Sequence, residues 1–173
     1  MWRTEKERRA ERVRAPKSVG EAVLYKSDGA SRRDHGESQG KAGYGVAVWR
    51  AGETGEPHAH FREAIGNASN NIAEYEGLKA GMQRANRVGD KSVIFEVDSK
   101  LVAKHMAHKD AWTCKTEDLK PLYRICRRLG EELTKKGITW EVRHIYREYN
   151  QSADSLANAA LDDKEGNGPS EHW

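Results

Sequence analysis

Along this chain the spacing of apolar residues changes repeatedly, and each change predicts an element. Residues 21–27 (Glu-Ala-Val-Leu-Tyr-Lys-Ser) read as a first strand that runs into Asp28. Arg32 to Lys41 is polar and holds Gly36 and Gly40, which predicts a loop. Tyr44, Val46 and Val48 then alternate with small residues over Gly43 to Arg50, and His58 to Ile65 follows across Gly52–Glu56. The two runs predict antiparallel strands joined by a glycine-containing hairpin loop. Over Asn70 to Val88 the period lengthens. Ile72, Tyr75, Leu78, Met82, Ala85 and Val88 form the stripe of an amphipathic helix, with Asn70 as its N-cap and Gly89 as its stop. Ser92 to Asp98 is dense in Val, Ile and Phe, as in a strand covered on both faces. A short helix over Ser99–Met106 and a longer one over Thr116–Lys135 follow. A last alternating strand spans Ile138–Ile145, and a final helix Asn150–Leu161. A strand meander followed by alternating helices and strands predicts an α/β mixed sheet with helices packed on it.

Composition sharpens the boundaries. A chain of 173 residues suits one domain, yet a third of it is charged and the apolar fraction is only 36%. That balance predicts a folded domain over 21–161 between a basic, disordered leader (1–20) and a disordered tail (162–173). Residues 1–17 carry seven basic side chains against Glu5, Glu7 and Glu11, enough for non-specific attraction to phosphate, although a solvated leader would look the same. No apolar run approaches the roughly 20 residues that span a bilayer, and no apolar segment follows the basic start as in a secretory signal. Cys114 and Cys126 have neither a second pair nor a His at finger spacing. This rules against a cysteine-rich zinc module and predicts reduced thiols in an intracellular, non-membrane protein.

Four acidic residues carry the candidate chemistry. Asp28 and Asp98 stand at the ends of apolar strand runs, whereas Glu74 and Asp154 each lie four residues after an Asn that could cap a helix. Taken singly, each has an ordinary structural explanation: an Asp-Gly turn for Asp28, complementing the helix dipole for Glu74 and Asp154, a helix cap for Asp98. The joint pattern argues otherwise. Carboxylates gathered from strand ends and first helical turns can meet at the edge of a sheet, where they repel one another unless cations join them. Hard cations such as Mg²⁺ take oxygen ligands, so no His or Cys is required.

The motifs resemble those of type 1 ribonuclease H, in its archaeal-like and reverse-transcriptase-like branch. Asp28-Gly29-Ala30 followed by Ala42-Gly43-Tyr44-Gly45 is similar to the family's opening strand pair. Asn70-Asn71-Ile72-Ala73-Glu74-Tyr75-Glu76-Gly77-Leu78 resembles its first long helix, and Asp98-Ser99-Lys100-Leu101-Val102 the strand end with the third acid. Arg147-Glu148-Tyr149-Asn150-Gln151-Ser152-Ala153-Asp154 is similar to the start of its last helix. The resemblance covers about residues 21–161. It implies a five-stranded mixed sheet, a three-strand antiparallel meander plus parallel strands, with helices on both faces. It further implies divalent-metal-dependent, largely sequence-independent endonucleolytic cleavage of RNA in RNA–DNA hybrids by a monomer. Asp28, Glu74, Asp98 and Asp154 would hold two Mg²⁺ or Mn²⁺ ions.

The same resemblance exposes departures. The connection from Trp140 to Asn150 is too short for the His-bearing loop of the bacterial enzymes. His144 falls inside the predicted last strand and reads as structural, while Arg147 is the better accessory to the chemistry. The bacterial basic protrusion is also missing, since His105 to Thr116 offers only Lys109, Trp112 and Lys115. Hybrid is expected to be read in its minor groove, where 2′-hydroxyls are displayed. Gly29, Ala30 and Ser31 would approach the RNA strand, Asn70 and Asn71 would hydrogen-bond in the groove, and Arg32, Arg33 and Lys41 could meet phosphates. The alternative is a catalytically weak nucleic-acid-binding module derived from a retroelement polyprotein. A remnant under no catalytic demand should lose acids, and all four are present. A nuclease of this fold acting on double-stranded RNA is left open.

Overall fold

The structure, a computed structural model, describes residues 22–32, 36 and 39–163. The basic leader of 1–20, Arg33, and the tail beyond Asp163 lie outside the described residues. Five strands, β1 (Val23–Arg32), β2 (Gly40–Trp49), β3 (Ala59–Ala68), β4 (Ser92–Val97) and β5 (Thr139–His144), form one sheet in the order β3-β2-β1-β4-β5. The described helices are α1 (Asn70–Val88), α2 (Lys100–His105), α3 (Lys120–Lys135) and α4 (Gln151–Asp162), with a 3₁₀ turn over Arg147–Tyr149 before the last. β1–β2 and β2–β3 pair antiparallel, while β1–β4 and β4–β5 pair parallel. The mixed sheet is thus the meander plus parallel strands that the sequence predicts.

Alternation along β2 assigns the helices to opposite faces. Tyr44, Val46 and Val48 enter the main core with Tyr75, Leu78 and Met82 of α1, Tyr25 of β1 and Phe95 of β4. Gly43 and Gly45 point the other way, toward α4. A Cβ on Gly45 would overlap that of Leu156 and lie 2.7 Å from the Ala153 carbonyl oxygen. Bare glycine on the strand and Ala153, Ala157 and Ala160 on the helix therefore let α4 lie directly on the sheet. α3 packs on α1 and closes the core with Leu119, Leu122, Cys126 and Leu133.

Several boundaries differ from the sequence expectation. β1 does not stop before Asp28 but continues to Arg32, paired residue by residue with β2 from Asp28↔Gly45 to Arg32↔Lys41. Side-chain polarity suggested a loop here; backbone pairing, which the pattern does not register, extends both strands. β3 likewise runs on through Gly66 to Ala68. The N-cap of α1 is Ser69, whose Oγ accepts from the Ile72 N–H at 3.3 Å, and Asn70 is the first helical residue. Gly89 stops that helix in the left-handed conformation, φ 77°. Residues Thr116–Leu119 form a turn rather than the first turn of α3, which starts at Lys120 next to Pro121. At the other end α4 includes Asp162. Arg32 binds Asp162 at 2.6 Å and Arg62 grips Asp163 through two 3.1 Å bonds, which ties these two residues to the sheet.

Candidate metal centre

The parallel ladder between β1 and β4 ends at Ser27↔Val97, so Asp28 and Asp98 are the next residues of two adjacent strands. Asp28 is not at the end of its own strand, as the sequence suggests, but at the point where its neighbour stops. β4 gives way there to α2, capped by Ser99, and the opened edge is closed from one side by α1. Glu74 comes from α1 just beyond its first turn, one residue further along the helix than predicted because the cap is Ser69 and not Asn70. One carboxylate oxygen each from Asp28, Glu74 and Asp98 lies within 4.8 Å of the others. Asp154, in the first turn of α4, stands outside this close trio but near enough to hydrogen-bond Asp28.

The approach of α1 depends on Gly29. A Cβ there would overlap the Ala73 carbonyl carbon and the Glu74 nitrogen and lie 2.6 Å from the Ala73 oxygen. All are backbone atoms, which cannot swing aside. The missing side chain therefore admits Glu74 beside Asp28, and the close approach expected at Gly29 is made by this protein's own helix. Its N–H donates to Asp28 Oδ1 at 3.0 Å.

The electrostatics are those of a crowded acidic site. Asp28 is 4% exposed and Glu74 9%, and at such separations each pair of like charges repels by about 3–4 kcal/mol in an effective dielectric of 20. Burial first of all pushes the Asp28 carboxyl up to about 7; the hydrogen bond with Glu74 opposes this, and the Asp98 and Asp154 carboxylates add to it. Burial likewise raises Glu74 well above the ordinary carboxylate range, helped by the charges of Asp28 and Asp98, while the Gly29 N–H works against the shift. Glu74 Oε2 is buried and has no hydrogen-bond partner among the described residues. Hard oxygen donors, mutual repulsion and an unsatisfied buried acceptor together fit a divalent cation such as Mg²⁺ or Mn²⁺.

The remaining sequence candidates are spread around this cluster. Ala30 and Ser31 are half-buried, and the Ser31 hydroxyl donates to the Ala68 carbonyl at 2.7 Å. Asn70 and Asn71 are exposed at the start of α1, Arg147 is exposed on the 3₁₀ turn, and Lys41 is exposed on β2. Arg32 is engaged with Asp162 and the Asn158 carbonyl. His144 ends β5, half-buried, its ring 5.8 Å from that of Tyr146. Between α2 and α3, Trp112 is 46% exposed, with Lys109 and Lys115 nearby in sequence.

One participant escapes sequence reasoning. Asn150, fully buried, reads from sequence as a helix cap but makes no side-chain cap bond. Its Nδ2 instead donates to the Ser27 carbonyl at 2.9 Å and to Asp98 Oδ2 at 3.1 Å. An Asn before a helix gives no signal that would separate these roles.

Comparison with known proteins gives the family and the fold. The family model described as reverse transcriptase-like matches residues 27–160. The bifunctional protein Rv2228c of Mycobacterium tuberculosis is 37% identical over 140 residues, 81% of this chain but 35% of that protein. Its N-terminal RNase H domain, solved as a fusion, superposes with a TM-score of 0.69 at 36% identity, covering 84% of this chain and 95% of that one. Ribonuclease HI of Halobacterium salinarum is 35% identical over 74% of this chain and 62% of its own length. The crystal structure of RNase H1 from that archaeon gives a TM-score of 0.69 at 34% identity, covering 83% of this chain and all of that one. The compost-derived LC11-RNase H1, solved with an RNA/DNA hybrid, gives 0.67 at 27% identity over 81% of this chain and 96% of its own. The chain thus spans about a third of the length of the mycobacterial relatives it matches.

Proposed function

The chain belongs to the reverse-transcriptase-like family, among the type 1 ribonucleases H, and we propose that it hydrolyses the RNA strand of RNA–DNA hybrids. The observation that carries this reading is the meeting of Asp28, Glu74 and Asp98 at the break between β1 and β4, within 4.8 Å of one another. With Asp154 beside them, these residues would hold two Mg²⁺ or Mn²⁺ ions. Bound there, the ions would supply an activated water and offset charge on the leaving oxygen.

The chain's own side chains support the rest of the task. Asn70 and Asn71, exposed at the N-terminus of the helix that carries Glu74, can donate to and accept from groups in the hybrid's minor groove. Ala30 and Ser31, on the strand just past Asp28, present little bulk to the RNA strand. Arg147 would offer a guanidinium to the scissile phosphate, a planar cation suited to stabilising charge rather than moving protons. Contacts to phosphate and 2′-hydroxyls, and to a minor groove that distinguishes bases poorly, carry little sequence information, so cleavage should depend little on sequence. The protein would act as a monomer. Two buried free thiols suit a reducing, intracellular setting, and no described helix is long and apolar enough to cross a membrane.

The test is a gel assay on matched hybrid, double-stranded RNA and single-stranded RNA, with and without Mg²⁺. Metal-dependent cutting of the RNA strand in hybrid alone is the expected result. Binding without cleavage would mean a non-catalytic module, and cleavage of double-stranded RNA at a similar rate would widen the substrate class.

A further inference from the structure

Asn150 touches all three of the non-adjacent segments that bring acids to the centre from the sheet and the last helix. Its Nδ2 donates to the carbonyl of Ser27, the residue before Asp28, and to Oδ2 of Asp98. Its backbone oxygen accepts the Asp154 N–H at 3.0 Å, and its own N–H donates to the Arg147 carbonyl at 2.9 Å. The amide's orientation is fixed by chemistry, because both groups it faces are acceptors; turning it over would set its oxygen against two others. The remaining Oδ1 is buried with no hydrogen-bond partner among the described residues. A side chain serving only to fill this space would do better as an apolar residue, which leaves no polar atom stranded. What the amide supplies, and an apolar group or a carboxylate cannot, is a donor to Asp98.

We infer that Asn150 is a positioning residue for the metal centre: its amide fixes the plane of the Asp98 carboxylate and ties the first turn of α4, with Asp154, to the strand bearing Asp28. This deepens the proposed function and rests on it where metal binding is concerned. A carboxylate held through one oxygen cannot rotate freely, and the other oxygen is then presented in a set direction. The same bond removes a like-charge problem, since an N–H rather than another oxygen meets Asp98 on that side. Asn150→Asp keeps the shape, loses the donor, and buries a fifth acid beside the cluster. Asn150→Ala loses the tie and adds no charge.

A neighbouring contact provides the control. Lys26 Nζ donates to the Tyr149 carbonyl at 2.8 Å and lies 3.9 Å from Glu96, holding the same 3₁₀ turn to β1 without touching any of the four acids. Lys26→Met should therefore lower the melting temperature while leaving the acids oriented. The experiment titrates Mn²⁺ into each folded protein without nucleic acid, by calorimetry, and then measures kcat on hybrid against Mn²⁺ concentration. Asn150→Ala and Asn150→Asp should weaken Mn²⁺ binding about 10- to 100-fold, as loss of a group that orients a ligand typically does. Excess Mn²⁺ should restore part of the turnover of Asn150→Ala, and Lys26→Met should stay within about twofold of wild type on the same scale. Wild-type Mn²⁺ affinity in the Asn150 variants, or an equal loss in Lys26→Met, overturns the inference. A third readout stands apart from the metal: the Asn150 side-chain NH₂ signals in metal-free protein should exchange slowly and shift in Asp98→Asn. If wild type neither binds Mn²⁺ nor cuts hybrid, the proposed function fails. The positioning role is then decided by those signals alone, fast exchange or no shift refuting it.

Discussion

Replacing Asp28 with asparagine should stabilise the metal-free protein, and by an amount that depends on pH in a defined way. The Asp28 carboxyl is raised from 3.8 to about 7, chiefly by burial. A raised folded value means the folded state holds a proton that the unfolded state has released. The stability this contributes is complete below pH 4, declines as pH rises, and is gone once pH passes about 7. Above that point wild type must keep a buried charge next to Glu74, Asp98 and Asp154. The Asp28→Asn variant carries no charge there and can still accept the Gly29 N–H through its side-chain oxygen. Three pH units correspond to a ceiling of about 4 kcal/mol. Glu74 shares the same protons, and an asparagine amide has two N–H groups to satisfy, so about 2 kcal/mol is the expected gain at pH 8. For a domain of this size that is a rise of roughly 4–8 °C in melting temperature.

The assay is a set of thermal melts of both proteins in chelator at pH 5, 6, 7 and 8, repeated with Mn²⁺. In chelator the difference should be smallest at pH 5, grow with each step in pH, and level off above about pH 7. With Mn²⁺, wild type should gain stability by mass action and the order should narrow or invert. A pH-independent difference would refute the reasoning, because it would mean that repulsion and burial at Asp28 are not what the variant relieves.

Other substitutions probe separate links. Asp98→Asn should leave the fold intact and abolish cleavage in Mg²⁺; near wild-type cutting would remove Asp98 from the site. Arg147→Ala should lower kcat by about one to three orders of magnitude through lost charge stabilisation, while His144→Ala costs stability with little change per folded molecule. Kinetics corrected for folded fraction decide between the two, and the reverse ranking would point to a histidine-dependent step. Gly29→Ala should force α1 away from β1, destabilise the protein by about 1–3 kcal/mol and weaken Mn²⁺ binding. An alanine variant with wild-type melting and titration curves would show that the helix has room to spare. Deleting residues 1–18 removes seven basic side chains and should flatten the salt dependence of hybrid binding, with kcat unchanged; an unaltered salt slope would make the leader passive.

The order and type of all five strands and four described helices were legible because each apolar run has one dominant period. What the sequence could not show was where backbone pairing outlasts apolar patterning. The polar residues Ser31, Arg32 and Lys41 continue the β1–β2 ladder because their main chains pair, whatever their side chains. The four acids were legible for a different reason. Asp98 and Asp154 sit at transitions between elements, which are visible in sequence, whereas Asp28 lies inside β1 and Glu74 beyond the first turn of α1, and these two stood out by their motifs. The caps were not legible. Ser69 rather than Asn70 caps α1, and both residue types satisfy the same preference. Arg32, which the sequence offers as a possible phosphate contact, also binds Asp162, a partner 130 residues away that no local pattern can indicate.

Asn150 and Gly29 share the deeper reason for what stayed hidden. Both act through close contact with a distant segment: one through an amide NH₂ aimed at the Ser27 carbonyl and the Asp98 carboxylate, the other through the absence of a Cβ beneath Ala73 and Glu74. Hydrophobic patterning locates element ends only to within a few residues, which is coarser than the tolerance of a charge cluster whose oxygens lie within 4.8 Å. The last ångströms are set by contacts across the sheet break, between segments up to 123 residues apart in sequence. The acids name the chemistry, but the residues that hold them at mutual distance decide whether a cation can offset their repulsion. A site of this kind is therefore expected to be sensitive to Gly29 and Asn150 as well as to the carboxylates themselves, with the difference that excess metal can compensate for a misdirected ligand and not for a missing one.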